Sequence, residues 1–443
     1  MRNLKRALSL AVASVMLLGM MVVGSGASYA DVTSEDNQEA IEVLQAVGIM
    51  TGDDNGDFNP DANVTRGEMA VIMSNLLDLG IANYSGASIP FTDVPDWAAP
   101  YVAACYANGI TGGTSATTYG TDEPVTAVQA GLMMLKALGY FQYQSDFGSS
   151  WILSTITQAT KCDLYDGIDA QTEEPLTRNE VGQLALNALE TTMVETDGQP
   201  NTVVTPDGTT VNIGSVKYID VVRNSKTEWN AIDPDKDSDD KSIIQLGEDL
   251  YDGDLKKETE TDDLGRPASV WSYKGTKIGK YADEVDYTIV VDESNDTIVD
   301  DLGGALEYIR DMLDNDDVEW ADDAKFAFDG EKTLAAVEKA MDRGTVVEVY
   351  VDDDDNDIIT HAVAYYYSLG EIDEIDTDVS RSDADKGIIA YVTIEGAEYD
   401  VDISGFNPSN FEEGDYVVYL ENPEDSDKLL ECYAPEVVEG SID

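Results

Sequence analysis

Two arginines, Arg66 and Arg178, stand at the first position of a predicted helix in the same pattern, Thr-Arg-x-Glu. This is the spacing of a capping box, in which the threonine and the glutamate bond the free amides at the helix start. Capping does not explain the arginines, because a cation in the first turn opposes the helix dipole. An anion held between the guanidinium group and the helix amides would explain them. The pattern therefore predicts two anion-binding positions.

The same pattern marks a unit that is repeated three times. The stretch Thr126-Ala127-Val128-Gln129 is another copy, with alanine in place of the arginine. Gly48 lies 17 residues before Thr65, and Gly109 lies 17 residues before Thr126. A fixed internal period indicates one supersecondary unit used repeatedly. Helix caps are predicted at Thr65, Glu68, Thr126, Gln129, Thr177 and Glu180.

These repeats resemble the S-layer homology family of bacterial cell-wall anchoring modules, over about Asp31–Thr192. The residues that carry the resemblance are Gly52–Pro60 and Val64–Glu68 in repeat one, Phe91–Val94, Trp97 and Gly109–Gly113 in repeat two, and Leu176–Glu180 in repeat three. The resemblance implies an all-α pseudo-trimer of three repeats, with ligand grooves between neighbouring repeats. It also implies secondary cell-wall polysaccharide bearing pyruvate ketals as the partner.

The resemblance further implies which residues bind the polysaccharide. The motif arginine would pair with the pyruvyl carboxylate, while the tryptophans, the loop glycines and the aspartates would shape the sugar site. Because Ala127 replaces the arginine of repeat two, and Asp36 stands where repeat one would carry a tryptophan, we expect at most two competent grooves. The alternative for the tryptophans is a core role. The implied binding residues are Asp31, Arg66, Asp93, Trp97, Gly113, Trp151 and Arg178.

The chain is extremely acidic, with 89 Asp and Glu against 26 Lys and Arg and a formal net charge of −63. Nucleic acid and anionic membrane surfaces would repel it, whereas cations would be attracted. No cofactor is predicted apart from Ca²⁺. The acidic turn containing Asp352, Asp354 and Asp357 is a weak calcium candidate, and a solvated turn is the alternative. The pattern that begins at Asp233 fails as an EF-hand because its last position is Ile244 rather than glutamate.

Residues 1–30 have the composition of an export signal. Arg2, Lys5 and Arg6 precede the apolar run Ala7–Val23, and Ser28-Tyr29-Ala30 supplies small residues before a cleavage point. We therefore expect a secreted protein of the cell wall or surface layer without membrane contact after cleavage. An uncleaved membrane anchor is the alternative.

The three cysteines, Cys105, Cys162 and Cys432, are too few for a disulfide framework. We interpret Cys105 and Cys162 as small buried residues, with a disulfide between them as the alternative.

The predicted chain is multidomain, with β-rich α+β modules after the helical repeats. Strands are expected at Val211–Val222 and Tyr287–Val291, and helices at Gly304–Leu313 and Thr333–Asp342. Two hairpins are expected, one from Thr345–Val351 and Ile358–Tyr367, the other from Tyr416–Leu420 and Leu429–Tyr433. Module boundaries are placed near residues 280 and 370. The predicted segments are a signal peptide at 1–30, repeats at 31–85, 86–143 and 144–194, a linker at 195–210 and an acidic β-rich surface region at 211–443.

No catalytic motif is visible, and the one histidine, His361, is interpreted as an ordinary strand residue. The predicted function is therefore a structural, non-enzymatic surface protein, anchored non-covalently to the wall and able to self-associate in a surface layer. Two alternatives stay open for the C-terminal region. It could be a glycan hydrolase with paired carboxylates, or an adhesin that uses Tyr365-Tyr366-Tyr367 as an aromatic platform.

Overall fold

The computed structural model describes residues 29, 31–32, 36–53, 55–197, 201–204, 210–213, 217–223, 242–251, 253–313, 318–352, 355–384, 388–401 and 410–435. Most of the predicted signal peptide, the Asp233 pattern and Asp354 lie outside these residues. A helical part comes first and a β-rich part follows, which is the predicted order for this multidomain chain.

Three pairs of α-helices form the N-terminal part. They are α1 (Gln38–Ala46), α2 (Arg66–Leu76), α3 (Ala99–Ala107), α4 (Ala127–Ala137), α5 (Trp151–Lys161) and α6 (Arg178–Glu190). The second helix of each pair carries the repeated motif and buries its apolar face, with Met69, Met134 and Leu184 inaccessible to solvent. All three side chains belong to one continuous core, so the helical pairs fold as a unit.

Two of the three expected capping boxes are present. The Oγ1 atom of Thr65 accepts from the Glu68 amide while the Glu68 carboxylate accepts from the Thr65 amide, and Thr177 with Glu180 does the same. The third expectation, Thr126 with Gln129, is wrong, because the Thr126 side chain makes no capping bond. The Gln129 side-chain oxygen instead accepts a hydrogen bond from Arg66 Nη1 at 2.9 Å.

Three backbone hydrogen bonds form a closed ring where the motif helices begin. The Val64 amide donates to the Leu176 carbonyl at 3.0 Å, the Leu176 amide to the Val125 carbonyl at 3.0 Å, and the Val125 amide to the Val64 carbonyl at 2.8 Å. Each of these residues directly precedes a motif threonine, so the ring brings the starts of α2, α4 and α6 together.

Short antiparallel strand pairs follow the helices. The strands are β1 (Val194–Thr196), β2 (Asn201–Val204), β3 (Thr210–Ile213), β4 (Tyr218–Asp220), β5 (Val222–Arg223) and β6 (Ser242–Ile243). The pairs are β1 with β4, β2 with β3, and β5 with β6. Strands β1 and β2 fall within or beside the segment predicted as a linker.

A three-stranded antiparallel sheet packs against the helical part. It follows helix α7 (Leu246–Tyr251) and consists of β7 (Leu255–Thr261), β8 (Pro267–Tyr273) and β9 (Thr276–Ala282). Trp271 Nε1 donates to Glu39 of α1 at 2.5 Å, and the Tyr281 hydroxyl donates to Glu42 at 2.5 Å. Both rings belong to the helical core, which therefore extends beyond the three repeats.

An α/β unit comes next and has a core of its own. Its elements are β10 (Tyr287–Val290), α8 (Asn295–Asp300), α9 (Ala305–Leu313), β11 (Glu319–Phe328), α10 (Leu334–Ala340), β12 (Val346–Asp352) and β13 (Asp355–Tyr365). The strand order is β10-β12-β13-β11. Strands β12 and β13 are antiparallel, as the predicted hairpin requires, whereas β11 lies parallel to β13.

The last described part is a closed five-stranded barrel. Its elements are β14 (Ser368–Asp376), α11 (Arg381–Ala384), β15 (Ala390–Ile394), β16 (Ala397–Val401), β17 (Tyr416–Asn422) and β18 (Asp425–Tyr433). Strands β17 and β18 form the second predicted hairpin. The barrel closes in the order β14-β15-β16-β18-β17 around its own apolar core.

The cysteines are free thiols. Cys105 and Cys432 are buried and Cys162 is partly buried, so the alternative disulfide between Cys105 and Cys162 is absent. Burial raises the pKa of the Cys105 thiol to about 11. In the part of the chain that the structure describes, no helix has the length and apolar character needed to cross a membrane.

Candidate binding grooves between the repeats

The side chain of Arg66 reaches out of its own repeat into the loop of repeat two. Its Nε atom donates to the Tyr119 carbonyl at 3.0 Å, and its Nη2 atom donates to the Gly112 carbonyl at 2.8 Å. The guanidinium carbon lies 4.8 Å from the centre of the Tyr119 ring. Arg66 is only 7% exposed, so this cation is built into the boundary between two repeats.

Arg178 occupies the equivalent place at the loop of repeat one. Its Nε atom donates to the Phe58 carbonyl at 2.6 Å, its Nη2 atom donates to the Thr51 carbonyl at 2.9 Å, and it lies 4.7 Å from the Phe58 ring. Each motif arginine therefore contacts the loop of another repeat. At the loop of repeat three the same position is Ala127, whose carbonyl accepts from the Tyr165 hydroxyl at 3.1 Å.

We name the three boundaries by their loops. Groove 1 is Arg178 against loop 51–59, groove 2 is Arg66 against loop 112–120, and groove 3 is Ala127 against loop 165–174. Repeat two has no motif arginine of its own, but the expectation that its groove has therefore lost the arginine needs correction, because Arg66 contacts the loop of repeat two. The alanine substitution leaves groove 3 without a motif arginine.

The amides at the start of the motif helices are already bonded to the protein. In α2 the Arg66 amide donates to the Glu123 carbonyl and the Gly67 amide to the Thr121 carbonyl, both at 2.9 Å. The first amides of α4 and α6 donate to neighbouring loops in the same way. The hypothesis that an anion contacts these helix amides is therefore wrong. Any anion bound here would have to be held by other groups.

Groove 2 opens into a cavity of about 520 Å³. Two cations line it: Arg66, and Lys136 of α4, whose Nζ atom donates to the Gly109 carbonyl at 2.7 Å. Burial lowers the pKa of the Lys136 ammonium group. Trp151, at the first turn of α5, contributes a ring that is 40% exposed. No Asp or Glu is among the described residues lining this cavity.

The predicted aspartates shape the loops instead of opening toward the cavity. The Asp93 carboxylate accepts from the amides of Tyr119 and Gly120, both at 2.7 Å, and these bonds help to lower its pKa. Asp31 accepts from the Phe58 amide at 2.8 Å and the next amide at 2.6 Å. Both carboxylates therefore hold the loop whose carbonyls receive a motif arginine.

Gly113 and Trp151 line the cavity of groove 2, and Trp97 lies beside Gly67 at the start of α2. A Cβ atom on Gly113 would come within 2.4 Å of the Phe91 ring and 2.5 Å of the Ser115 carbonyl, so no side chain fits there. Trp97 is 50% exposed, and its ring lies 3.0 Å from where a Cβ atom of Gly67 would stand. Trp97 and Trp151 are therefore surface aromatic residues, and the alternative core role is wrong.

The acidic turn that was a weak calcium candidate shows no cluster of metal ligands among its described residues. Asp352 ends β12 and Asp357 lies in β13, on the two arms of the hairpin, while Asp354 is outside the described residues. Within the described ranges, no group of three His, Cys, Asp or Glu side chains is arranged to hold a metal ion.

The remaining singled-out residues lie on β13 and just after it. Burial lowers the pKa of His361 to about 4, and its ring packs edge-on against Tyr350. Tyr366 is 54% exposed, whereas Tyr365 is buried and hydrogen-bonded to Glu348 at 2.7 Å. Strand alternation thus leaves one exposed ring, which is too little for a three-ring platform.

Comparison with known protein families finds a match in the first two of the three repeats. The S-layer homology domain matches residues 28–70 and 90–126. The chain contains this domain. The domain and the surface-layer relatives indicate a secreted protein of the cell wall or surface layer. The matched segments include the loops of grooves 1 and 2 and the motif threonines Thr65 and Thr126.

Several relatives are similar to part of this chain. The surface-layer 125 kDa protein of Lysinibacillus sphaericus is 25% identical over 249 residues, covering 52% of this chain and 20% of that protein. The middle cell wall protein of Brevibacillus brevis is 26% identical over 201 residues, covering 43% and 19%. An endoglucanase of Bacillus sp. is 27% identical over 134 residues, covering 28% and 14%. The chain thus spans about a fifth or less of the length of these relatives.

The sequence-based prediction did not include Lys136, which adds a second positive charge to groove 2. Lys136 is the tenth residue after the motif threonine, and the equivalent positions in the other repeats are Asn75 and Asn187. Aligning the repeats through the whole second helix would have singled out this lysine, because it is a cation where the other two copies carry an amide.

Proposed function

We propose that this chain is a surface-layer structural protein that attaches non-covalently, through its S-layer homology repeats, to secondary cell-wall polysaccharide bearing pyruvate ketals. The observation that carries the proposal is groove 2. A protein with a net charge of −63 keeps a cavity lined by Arg66 and Lys136 and by no described carboxylate. Such a cavity suits an anionic sugar, since a carboxylate can bond the cations while a sugar ring stacks on Trp151.

The proposal includes a pseudo-trimer of the three repeats. The ring of hydrogen bonds through Val64, Val125 and Leu176 supports it, because each repeat donates to one neighbour and accepts from the other. The arginine contacts support it as well, since Arg66 and Arg178 each reach into the loop of a different repeat. In this arrangement the grooves lie between repeats, so ligand binding requires the whole helical unit.

The β-rich part would then form the outward region of a surface layer. Two relatives are named as a surface-layer protein and a cell wall protein, which favours a structural role over catalysis. A wall polymer presents many equivalent sugars, so one groove of modest affinity could rebind along it and keep many copies at the surface. Self-association of the outer modules would add further attachment points.

Titration calorimetry with polysaccharide released from the walls of the producing bacterium tests the proposal. The mature full chain should bind the native polymer and should lose that binding after mild acid removes the pyruvate ketals. Equal binding to both polymers would contradict recognition of the ketal. Absence of binding to either would contradict the anchoring role.

A further inference from the structure

The three grooves are built from equivalent positions but differ in charge. The third residue after the motif threonine is Glu68 in α2, Gln129 in α4 and Glu180 in α6. In α2 and α6 this carboxylate belongs to a capping box. In α4 the neutral amide bonds Arg66 instead. An amide thus stands in place of the carboxylate on α4, the helix of repeat two that lines the cavity of groove 2.

The tenth residue after the motif threonine also makes groove 2 more positive than the other two grooves. Lys136 Nζ donates to the Gly109 carbonyl at 2.7 Å, and Asn75 Nδ2 donates to the corresponding turn at the Ile49 carbonyl at 3.2 Å. In α6 the Asn187 side chain donates to the Asp166 carbonyl at 2.8 Å. The three side chains occupy equivalent sites, but only the one at groove 2 carries a charge.

The other grooves lack this surplus of positive charge. Beside Arg178 in groove 1 lie Glu68, Asp31 and Asp53, whose negative charges act on its guanidinium group. Groove 3 has Ala127 at the arginine position, and Glu180 lies on α6, the second helix of the repeat that supplies the loop of groove 3. Groove 2 holds two cations, Arg66 and Lys136, and no described carboxylate in its cavity lining.

We propose that Gln129 and Lys136 are specificity-determining residues that make groove 2 the one anion-binding groove of the three. The inference rests on the proposed function and narrows it. Each chain takes one carboxylate-bearing sugar, whose carboxylate is bound between Arg66 and Lys136 and whose ring is stacked on Trp151. Grooves 1 and 3 keep the same loop architecture without an anion site.

The physical basis is the local balance of charge. A carboxylate at position 129 would lie within hydrogen-bonding reach of Arg66, since the present amide oxygen is at 2.9 Å. It would neutralise the arginine and repel an incoming carboxylate. With an amide at 129, the positive charge of Arg66 stays available while its orientation is still fixed. Lys136 adds a second cation, and its ammonium group donates to the Gly109 carbonyl, three residues before the Gly112 carbonyl that accepts from Arg66.

The test introduces one carboxylate at equivalent positions of the three grooves. The variants are Gln129→Glu and Lys136→Asp in groove 2, with Asn75→Asp in groove 1 and Asn187→Asp in groove 3 as matched controls. Gln129→Glu is nearly isosteric and retains a bond to Arg66, so its fold should be preserved, and melting curves check all four variants. The probe is the released wall polysaccharide, cut to short fragments, titrated into the full mature chain.

We expect wild type to bind one fragment per chain. Gln129→Glu and Lys136→Asp should each weaken binding by about tenfold or more, since each adds a like charge beside the bound anion. Asn75→Asp and Asn187→Asp should change the affinity by less than about twofold, because charges in the other grooves are distant from the bound anion and screened. Equal losses in all four variants, or two to three fragments per wild-type chain, would overturn the inference alone. No binding by wild type would overturn the proposed function as well.

Discussion

Replacing Arg66 with methionine should destabilise the helical part as well as weaken ligand binding. The guanidinium group donates to the carbonyls of Gly112 and Tyr119 and to the side chain of Gln129, at 2.8 to 3.0 Å. Methionine leaves all three acceptors without that donor. Hydrogen bonds to charged groups contribute about 1.5–3 kcal/mol each, but loop relaxation and water recover part of this loss. We therefore expect a net cost of about 3 kcal/mol.

Differential scanning calorimetry of the full mature chain measures this cost. For a cooperative unit of 150 to 250 residues, 1 kcal/mol shifts Tm by about 2–4 °C, so Arg66→Met should lower Tm by about 6–12 °C. Lys256→Met is the control, because Lys256 is an exposed lysine on β7, in the sheet that shares the helical core. That control should shift Tm by no more than about 2 °C. An Arg66→Met shift as small as the control would refute the structural role deduced from these bonds.

Three further predictions follow from individual contacts. Thr65→Ala should cost about 1 kcal/mol in urea unfolding because it removes a capping bond, whereas Thr126→Ala should cost clearly less, and equal costs would contradict the observed caps. Gly113→Ala should lower Tm by several degrees, since its Cβ would meet a ring carbon at 2.4 Å, and an unchanged Tm would count against that crowding. Burial raises the pKa of Glu39 to about 7, so the native state binds a proton that the unfolded chain releases near pH 4.5. Stability should therefore fall as pH rises from about 4.5 to about 7 and should level off above that range. Glu39→Gln should flatten this slope in urea unfolding, and an unchanged slope would exclude Glu39 as its source.

The local elements of the fold were predictable because their signals lie in short stretches of sequence. The capping boxes at Thr65 and Thr177 follow from spacing alone. The hairpins β12–β13 and β17–β18 follow from apolar runs on both sides of polar turns. The failure at Thr126 has a non-local cause. Gln129 is drawn to Arg66, a residue 63 positions earlier in the chain, and no local pattern reports that contact.

The residues of the site could be predicted from their types and spacing, but the contacts that they make could not. Arg66 and Arg178 were correctly placed at the starts of motif helices, yet spacing could not show that each side chain enters another repeat. The roles of Asp31 and Asp93 as loop holders also depend on backbone amides about 26 to 28 residues away. Sequence comparison among the repeats carries one further signal that spacing missed, the cation at Lys136.

We propose that the S-layer homology repeats hold this protein to the wall through an anionic polysaccharide. Co-sedimentation of the mature full chain with wall sacculi tests it most directly, using native sacculi and sacculi stripped of secondary polysaccharide. We expect the protein to pellet with native sacculi and to stay in the supernatant with stripped ones. Pelleting with both preparations would place the attachment on peptidoglycan, and pelleting with neither would contradict anchoring altogether.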